Sequence, residues 1–229
     1  MAEPADIGAV LVALQHGDSF FPGGAVSFSW GLEALRADDR VGDAATLGRF
    51  IEGQLRLRWA SSDRAALTAA YRNADDLDAV AEVDRKVEVL SLAREQREGS
   101  RLAGAALLNA HDRLGTPGAN AYRRRVIAGD APGHLPVVQG LVWRGAGLTL
   151  DIATATAAHV LCVGFIGVAV RLGFVGAADG QRLLRDLRAV VVVVLEEPAP
   201  TPDEMHAFAP ATDIAMMRHE TQVTRLFAN

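Results

Sequence analysis

The spacing of apolar residues is the feature that most limits how this chain can fold. Apolar side chains recur at steps of three and four residues, and no segment alternates apolar and polar residues as a half-buried strand does. Leu47, Ile51 and Leu55 follow Asp43, a residue type that caps helix starts. The same stripe recurs over residues 80–90. The pattern predicts an all-α fold.

We expect a helical bundle of about ten helices in a single domain, 1–229. Residues 6–15 are apolar on nearly all sides, which predicts a helix buried against others. Residues 190–194 are all valine, but they follow a helical pattern without a breaker and have no second strand to pair with, so we predict helix there. Asn120 is a candidate cap, Pro136 fits a first helical turn, and further helices are predicted over 97–113, 120–127, 151–170 and 178–196.

The C-terminal part of the chain has a different character from the helical body. Three prolines lie between Glu197 and Pro202, which indicates a loop or linker. We therefore predict that residues 196–229 form a linker and a partly flexible C-terminal tail.

The composition narrows the class of protein. Half of the 229 residues are hydrophobic, which is enough to bury a sizeable core. The formal net charge of −5 argues against a nucleic-acid partner. The single cysteine, Cys162, cannot form an internal disulfide, and this is compatible with a reducing compartment. The start of the chain carries acidic residues instead of the basic stretch of a signal peptide, so we expect a cytoplasmic protein.

Residues 152–170 are the one segment that raises a membrane alternative, because they carry no charged side chain. They also contain Thr154, His159 and several small residues, and no aromatic belt flanks them. We favour a buried central helix, and an integral membrane component stays as the alternative.

The sequence lacks the local motifs of several enzyme classes. Lys86, the only lysine, follows no glycine loop, so there is no phosphate-binding loop. No Gly-x-Ser-x-Gly elbow is present. His219-Glu220 has no second histidine at zinc-pair spacing, and no two of the six histidines lie four residues apart. We therefore predict no catalytic residues, no cofactor and no metal site.

Three segments are unusual enough to be candidate binding surfaces. The first, residues 22–33, opens with a sharp turn at Pro22 and Gly24 and continues into Phe28 and Trp30. Rigid aromatic rings beside glycines suit the centre of an interface, and the alternative is that the rings pack inward.

The second segment is the charged run 94–98. On a helix, Arg94 and Arg97 share a face, as do Glu95 and Glu98, and the alternative is a solvated charged face. The third is the tail from His219, whose Leu226 and Phe227 are out of place at a frayed end unless something covers them. The alternative there is a disordered terminus.

Four patterns in consistent order resemble one known family. The matching positions near the start are Pro22, Gly24, Ser27, Phe28, Ser29, Gly31, Leu32 and Glu33. The later ones are the arginine–glutamate run 94–98, the segments Leu172-Gly173 and 180–184, and the ending His219, Glu220, Arg225, Leu226 and Phe227. Together they are similar to the UreF family of urease accessory proteins. Departures from the family pattern fall at Val26, Phe28, Arg171, Ala228 and Asn229.

The resemblance implies an all-helical scaffold that is not an enzyme and commonly forms a homodimer. Its implied partners are a UreD-type accessory protein (also called UreH), a UreG-type GTPase that binds nickel, and apo-urease, into which nickel is inserted. We assign the partner-binding role to Pro22, Gly24, Phe28, Ser29, Trp30, Gly31, Glu33, Arg94, Glu95, Arg97, His219, Glu220, Arg225, Leu226 and Phe227. Arg94, Arg97 and Arg225 are also candidates, by chemistry alone, for stimulating the GTPase.

One rival function stays open at this stage. An all-α small-molecule enzyme or metal carrier would place His159, Cys162 and the glycine turn near one pocket.

Overall fold

The computed structural model describes residues 6–18, 20–24, 28–222 and 225–227, and within them it contains helices and no strand. The all-α prediction is therefore confirmed. The α-helices are α1 (Ile7–Gly17), α2 (Leu32–Ala37), α3 (Ala44–Gln54), α4 (Arg64–Arg72), α5 (Leu77–Leu90), α6 (Arg94–Arg113), α7 (Ala119–Ala128), α8 (Leu135–Gly145), α9 (Leu150–Arg171), α10 (Ala177–Glu196) and α11 (Pro210–His219). Of the positions singled out in the sequence, Val26, Ser27, Ala228 and Asn229 lie outside the described residues.

A π-helical segment, Leu55–Asp63, joins α3 to α4 without a break. Helix α3, the π-helical segment and α4 therefore form one continuous helical stretch. Counted in this way, the eleven described α-helices form ten separate helical stretches, in agreement with the predicted number of about ten. The predicted start at Asp43 is confirmed, since its carboxylate accepts a hydrogen bond of 2.7 Å from the backbone N–H of Thr46.

The core lies where α4 and α6 pack against α8, and where α9 packs against α1, α8 and α10. Trp143 of α8 and Tyr122 of α7 are among the largest fully buried side chains. Small residues let these elements approach closely. A Cβ atom at Gly104 would overlap the carbonyl oxygen of Gly133, and one at Gly140 would overlap that of Leu67.

The two apolar segments that left alternatives open are both helical. Valines 190–194 continue α10, since they extend an established helix. Helix α9 is long and apolar enough to cross a membrane by length and composition alone, but 56% of its most apolar window is buried inside the bundle. This burial is what a core helix requires.

The segment after α10 is held against the helical body by hydrogen bonds. The guanidinium of Arg64 donates to the carbonyl oxygens of Val194, Glu197 and Pro198. Further along, the backbone N–H of Phe208 donates to the carbonyl of Leu57 at 3.0 Å. Leu57 lies in the π-helical segment and Arg64 directly after it. We call residues 197–208, which these bonds hold against the helical body, the strap.

Two local predictions are wrong. Asn120 does not cap α7, because Gly118 occupies the N-cap in a left-handed conformation and the Asn120 amide donates to Asp112 instead. Helix α1 is not buried all round: Ile7, Leu11 and Leu14 lie on one exposed face. No described residue covers that face, and α1 packs chiefly on α9 through its other side.

A pair of histidines anchors the C-terminal end of α1. His16 Nδ1 lies 2.7 Å from the carbonyl oxygen of Val12, so this nitrogen carries a proton and donates. His16 Nε2 lies 3.0 Å from His111 Nε2, and His111 Nδ1 lies 2.9 Å from the hydroxyl of Thr116. In the neutral pair, His111 donates to His16 and accepts from Thr116. Burial lowers the pKa of both rings, that of His111 to about 4, and in His111 the charge of His16 adds to the effect.

The histidine pair predicts a stability loss on acidification. Between the ordinary histidine pKa of about 6.5 and the lowered value, the unfolded chain binds more protons than the native chain. The contribution of His111 to the free energy of unfolding is therefore present above pH 6.5 and is lost as the pH falls towards 4. His111→Gln keeps a donor towards His16 but does not titrate. We expect urea denaturation to show a smaller loss of unfolding free energy from pH 7 to pH 5 in this variant than in the native chain.

His206→Gln is the control, because the His206 side chain is exposed and its ring bonds only the carbonyl oxygen of Glu204 in its own loop. It should keep the native pH dependence. An equal loss in His111→Gln and in the native chain would contradict the assignment.

Candidate partner-binding site

The three segments singled out in the sequence meet in one polar site. Glu33 stands on α2, Glu95 on the first turn of α6 and His219 at the end of α11. His219 Nδ1 lies 3.0 Å from Glu95 Oε2, and its Nε2 lies 3.1 Å from Glu33 Oε2. The imidazole is fully buried and is therefore bracketed by two carboxyl groups. We call these three residues the carboxylate–histidine bridge.

The bridge also fixes the described end of the tail. The backbone N–H of Leu226 donates to Glu33 Oε1 at 2.7 Å, and that of Phe227 donates to Glu33 Oε2 at 3.2 Å. Arg225 Nη1 lies 3.2 Å from Glu95 Oε1. Each carboxyl group thus bonds both the ring of His219 and a residue of the chain that follows it.

The hydrogen-bond geometry constrains where the protons of the bridge lie. Both ring nitrogens of His219 face a carboxyl oxygen, so either both nitrogens carry protons or one carboxyl group carries one. Burial raises the pKa of Glu95, and the nearby His219 and Arg225 oppose that rise.

The tail ends with one apolar side chain buried and one exposed. Phe227 is buried beneath Arg171, whose guanidinium carbon lies 4.3 Å from the ring centroid. Leu226, by contrast, is 63% exposed. The site therefore holds its own backbone and displays one large apolar side chain.

The arginines singled out in the sequence are placed differently from one another. Arg94 is 61% exposed and forms an ion pair of 3.1 Å with Glu220. Arg97 turns away, since its Nη1 donates to the carbonyl oxygens of Ser91 at 2.6 Å and Leu92 at 2.9 Å. The run 94–98 thus contributes Arg94 and Glu95 to the site, and Arg97 to the preceding loop.

The aromatic and glycine residues of the first segment form a wedge between α6 and α11. Phe28 is buried, and a Cβ atom at Gly99 of α6 would lie 3.3 Å from its ring. Gly31 has a φ of +83°, and a Cβ there would lie 3.2 Å from the carbonyl oxygen of Thr212 of α11. Ser29 is also buried and Trp30 is half-buried. For Phe28 the structure has the inward packing that the sequence left as the alternative.

The turn that opens the segment lies against α6. Gly24 has a φ of +72°, and a Cβ there would approach Ala106 Cβ to 2.8 Å, so only glycine suits this position. Pro22 is exposed, as is Phe20 two residues earlier. The turn therefore belongs to the same surface as the exposed face of α1, which leads into it.

Sequence reasoning named every member of the carboxylate–histidine bridge but did not connect them. It missed the ion pair between Arg218 and Asp38, at 2.7 Å, which fastens α11 to the end of α2. It also missed the exposed face of α1. One signal in the sequence could have connected the members of the bridge. The run 94–98 and the tail each carry both acidic and basic side chains, so their charges are able to pair.

The structure does not support the rival site. Burial raises the pKa of the Cys162 thiol to about 12, so the thiolate that metals bind is disfavoured. Over the described ranges, no group of three or more histidine, cysteine or acidic side chains is placed to hold a metal ion. His159 lies on the exposed side of α9.

The UreF family model matches residues 41–188. The urease accessory protein UreF of Haemophilus influenzae (strain PittGG) is 33% identical, over 97% of this chain and 95% of its own length. That of Agrobacterium fabrum is 32% identical, over 99% of both chains. The chain belongs to the UreF family. Its relatives carry the name of an accessory protein and not of an enzyme, in agreement with the sequence prediction.

Replacing the imidazole tests the bridge. His219→Ala leaves two carboxyl groups without the donors between them, so we expect unfolding to become easier by about 2–3 kcal/mol and the melting temperature to fall by about 5–10 °C. Hydrogen exchange at the backbone amides of Leu226 and Phe227 should accelerate, because both bond Glu33.

His206→Ala is the matched control and should shift the melting temperature by less than about 2 °C, as expected for an exposed side chain. If tail exchange stayed at the native rate in His219→Ala, the bridge would not be what holds the tail.

Proposed function

We propose that this chain is a single-domain cytoplasmic scaffold in urease maturation. In this role it bridges a UreD-type accessory protein, a UreG-type GTPase and apo-urease while nickel is inserted into the urease active site, and it acts as a homodimer. Membership of the family supports the general role. The specific bridging role is supported by one observation: three sequence segments converge on one site that has exposed residues at its edge.

The predicted partner-binding residues divide by burial into two roles. The buried members, Phe28, Ser29, Gly31, Glu95, His219 and Phe227, together with part-buried Glu33, shape the site and act on partners through the residues that they position. We propose that the exposed or half-exposed members, Pro22, Gly24, Trp30, Arg94, Glu220, Arg225 and Leu226, contact partners directly, and we call them the exposed rim. Arg97 is also half-exposed but is turned towards the preceding loop. The bridge already orders the tail before a partner binds. Less conformational entropy is therefore lost when the exposed rim binds a partner.

The exposed face of α1 extends the docking surface for the UreD-type partner. Ile7, Leu11 and Leu14 recur at four- and three-residue steps and are exposed. Arg171 connects this helix with the tail, since it covers Phe227 and also borders a pocket with His16 and Gly17 of α1. An exposed apolar stripe offers the contiguous apolar area on which a stable interface depends.

Leu226 gives a direct test that leaves the bridge intact. Leu226→Glu places a charge on the exposed apolar rim, so capture of the UreD-type partner in a pull-down should fall by at least about tenfold, while the melting temperature stays within about 2 °C of the native value. Deleting residues 219–229 is a blunter test, because it also removes buried His219 and Phe227.

Leu114→Glu is the matched control. Leu114 is 59% exposed and lies at the far end of α6 from Arg94. It should retain full capture. Native capture by Leu226→Glu would exclude the tail from this interface.

The arginines are expected to position the GTPase without entering its active site. Arg225 is paired with a carboxylate, Arg97 with two carbonyl oxygens, and Arg94 with Glu220. An arginine that stabilises the transferring phosphoryl group is worth a factor of about 10³–10⁵ in rate. We therefore expect Arg94→Ala, Arg97→Ala and Arg225→Ala each to change the maximal stimulated GTPase rate by less than about tenfold. A loss near that full factor in any one variant would identify an arginine finger.

A further inference from the structure

Two adjoining cavities lie among α1, α6, α8 and α9, on the inner side of the glycine turn. The larger has a volume of about 170 Å³ and the smaller about 100 Å³. They share four wall residues, which are Leu135, Gln139, Val160 and Gly164. No residue of the carboxylate–histidine bridge lines the larger cavity, and of the exposed rim only Gly24 does.

The glycines of α9 leave this space open without being needed for close packing. Gly164 and Gly167 line the larger cavity on one face of a 22-residue helix, and a Cβ atom at either would meet nothing within 4 Å. Gly104 and Gly140 are different, because a Cβ at those positions would overlap backbone atoms. Glycine in a helix interior costs stability relative to alanine, so its presence at 164 and 167 calls for a reason other than close packing.

The cavity wall also carries one polar side chain that lacks a partner. Gln139 borders both cavities, is only 8% exposed, and its side-chain amide forms no hydrogen bond with any residue that the structure describes. The indole Nε1–H of Trp143, which also lines the larger cavity, has no acceptor among the described residues either, but it is too deeply buried for a water-sized atom to reach. Buried polar groups are nearly always hydrogen-bonded, so the amide of Gln139 points to an occupant that supplies an acceptor.

The charged and titratable residues at the wall are already engaged. Both ring nitrogens of His16 are bonded, the carboxylate of Asp18 accepts the backbone N–H of Phe20, and Arg171 lies over Phe227. The rest of the wall is largely apolar, with Phe21, Leu107 and Val163 among its members. An engineered apolar cavity of about 150 Å³ binds benzene, so the size and the lining here suit one small neutral molecule.

We propose that the larger cavity is a binding site for a small, neutral, mainly apolar molecule that carries one hydrogen-bond acceptor. The acceptor bonds the side-chain amide of Gln139, and the apolar body lies over Gly164 and Gly167. This site is independent of the proposed scaffold function. Because Phe21, Gly23 and Gly24 form part of its wall, an occupant also supports the turn that opens the first segment.

Cyclohexanone is a suitable probe, since it joins a compact apolar ring to one carbonyl acceptor. We expect it to raise the melting temperature of the full chain in a dose-dependent way and to shift the side-chain amide signals of one glutamine in a ¹H–¹⁵N spectrum. Gln139→Leu identifies which signals belong to Gln139. Methylcyclohexane, which has no acceptor, should leave those signals in place.

Filling the cavity supplies the decisive variants. Gly164→Ala and Gly167→Ala add a methyl group into the open space, so each should weaken cyclohexanone binding at least about tenfold without lowering the melting temperature. Gly53→Ala is the matched control: it lies in α3, its added Cβ also meets nothing within 4 Å, and it does not line either cavity. It should bind as the native chain does.

Three results would overturn the proposal. They are no change in the Gln139 amide signals or melting temperature up to the solubility limit of cyclohexanone, unchanged binding in both alanine variants, and equal loss of binding in Gly53→Ala. The first would leave the cavity as a water-filled space. The amide measurement reports directly on the native chain, so the test stands even if one variant fails to fold.

Discussion

The bridge from Glu33 through His219 to Glu95 is the interaction on which the shape of the functional surface depends. It joins three elements that are far apart in sequence, since Glu33 and His219 are 186 positions apart. Buried polar groups of this kind are costly unless every one is satisfied, and here each carboxyl group bonds the imidazole and accepts from the tail. The same contacts that satisfy the bridge therefore determine where the end of the chain lies.

A second set of hydrogen bonds also holds the C-terminal segment. The π-helical segment presents carbonyl oxygens to residues 206–208, and Arg64 binds three carbonyls at and after the end of α10. A π-helix is uncommon because its backbone geometry is less favourable, and such segments occur frequently at functional sites. Here it also borders the smaller cavity through Arg58, Trp59 and Asp63. The strap and the bridge together bring α11 onto α2 and α6.

Much of the fold followed from local patterns, and the errors share one cause. The stripe from Val80 to Val87, the cap at Asp43 and the helical valines of α10 were predicted because each depends on neighbours within one or two turns. Helix α1 was misjudged, because an all-round apolar pattern shows what a helix is able to bury and not what covers it. The assignment of Phe28 to an exposed interface stays a prediction for its functional role, while its ring packs on Gly99.

The sequence by itself determined that the chain is all-helical, where most helices run, and which residue types are available for binding, because these depend on periodicity and on side-chain chemistry. Only the tertiary structure decided that Glu33, Glu95 and His219 form one unit, that Leu226 is exposed while Phe227 is buried, and that Gly164 and Gly167 face a cavity. The reason is physical: these relations join residues through space, and their energies arise from burial and from partners that no local pattern encodes.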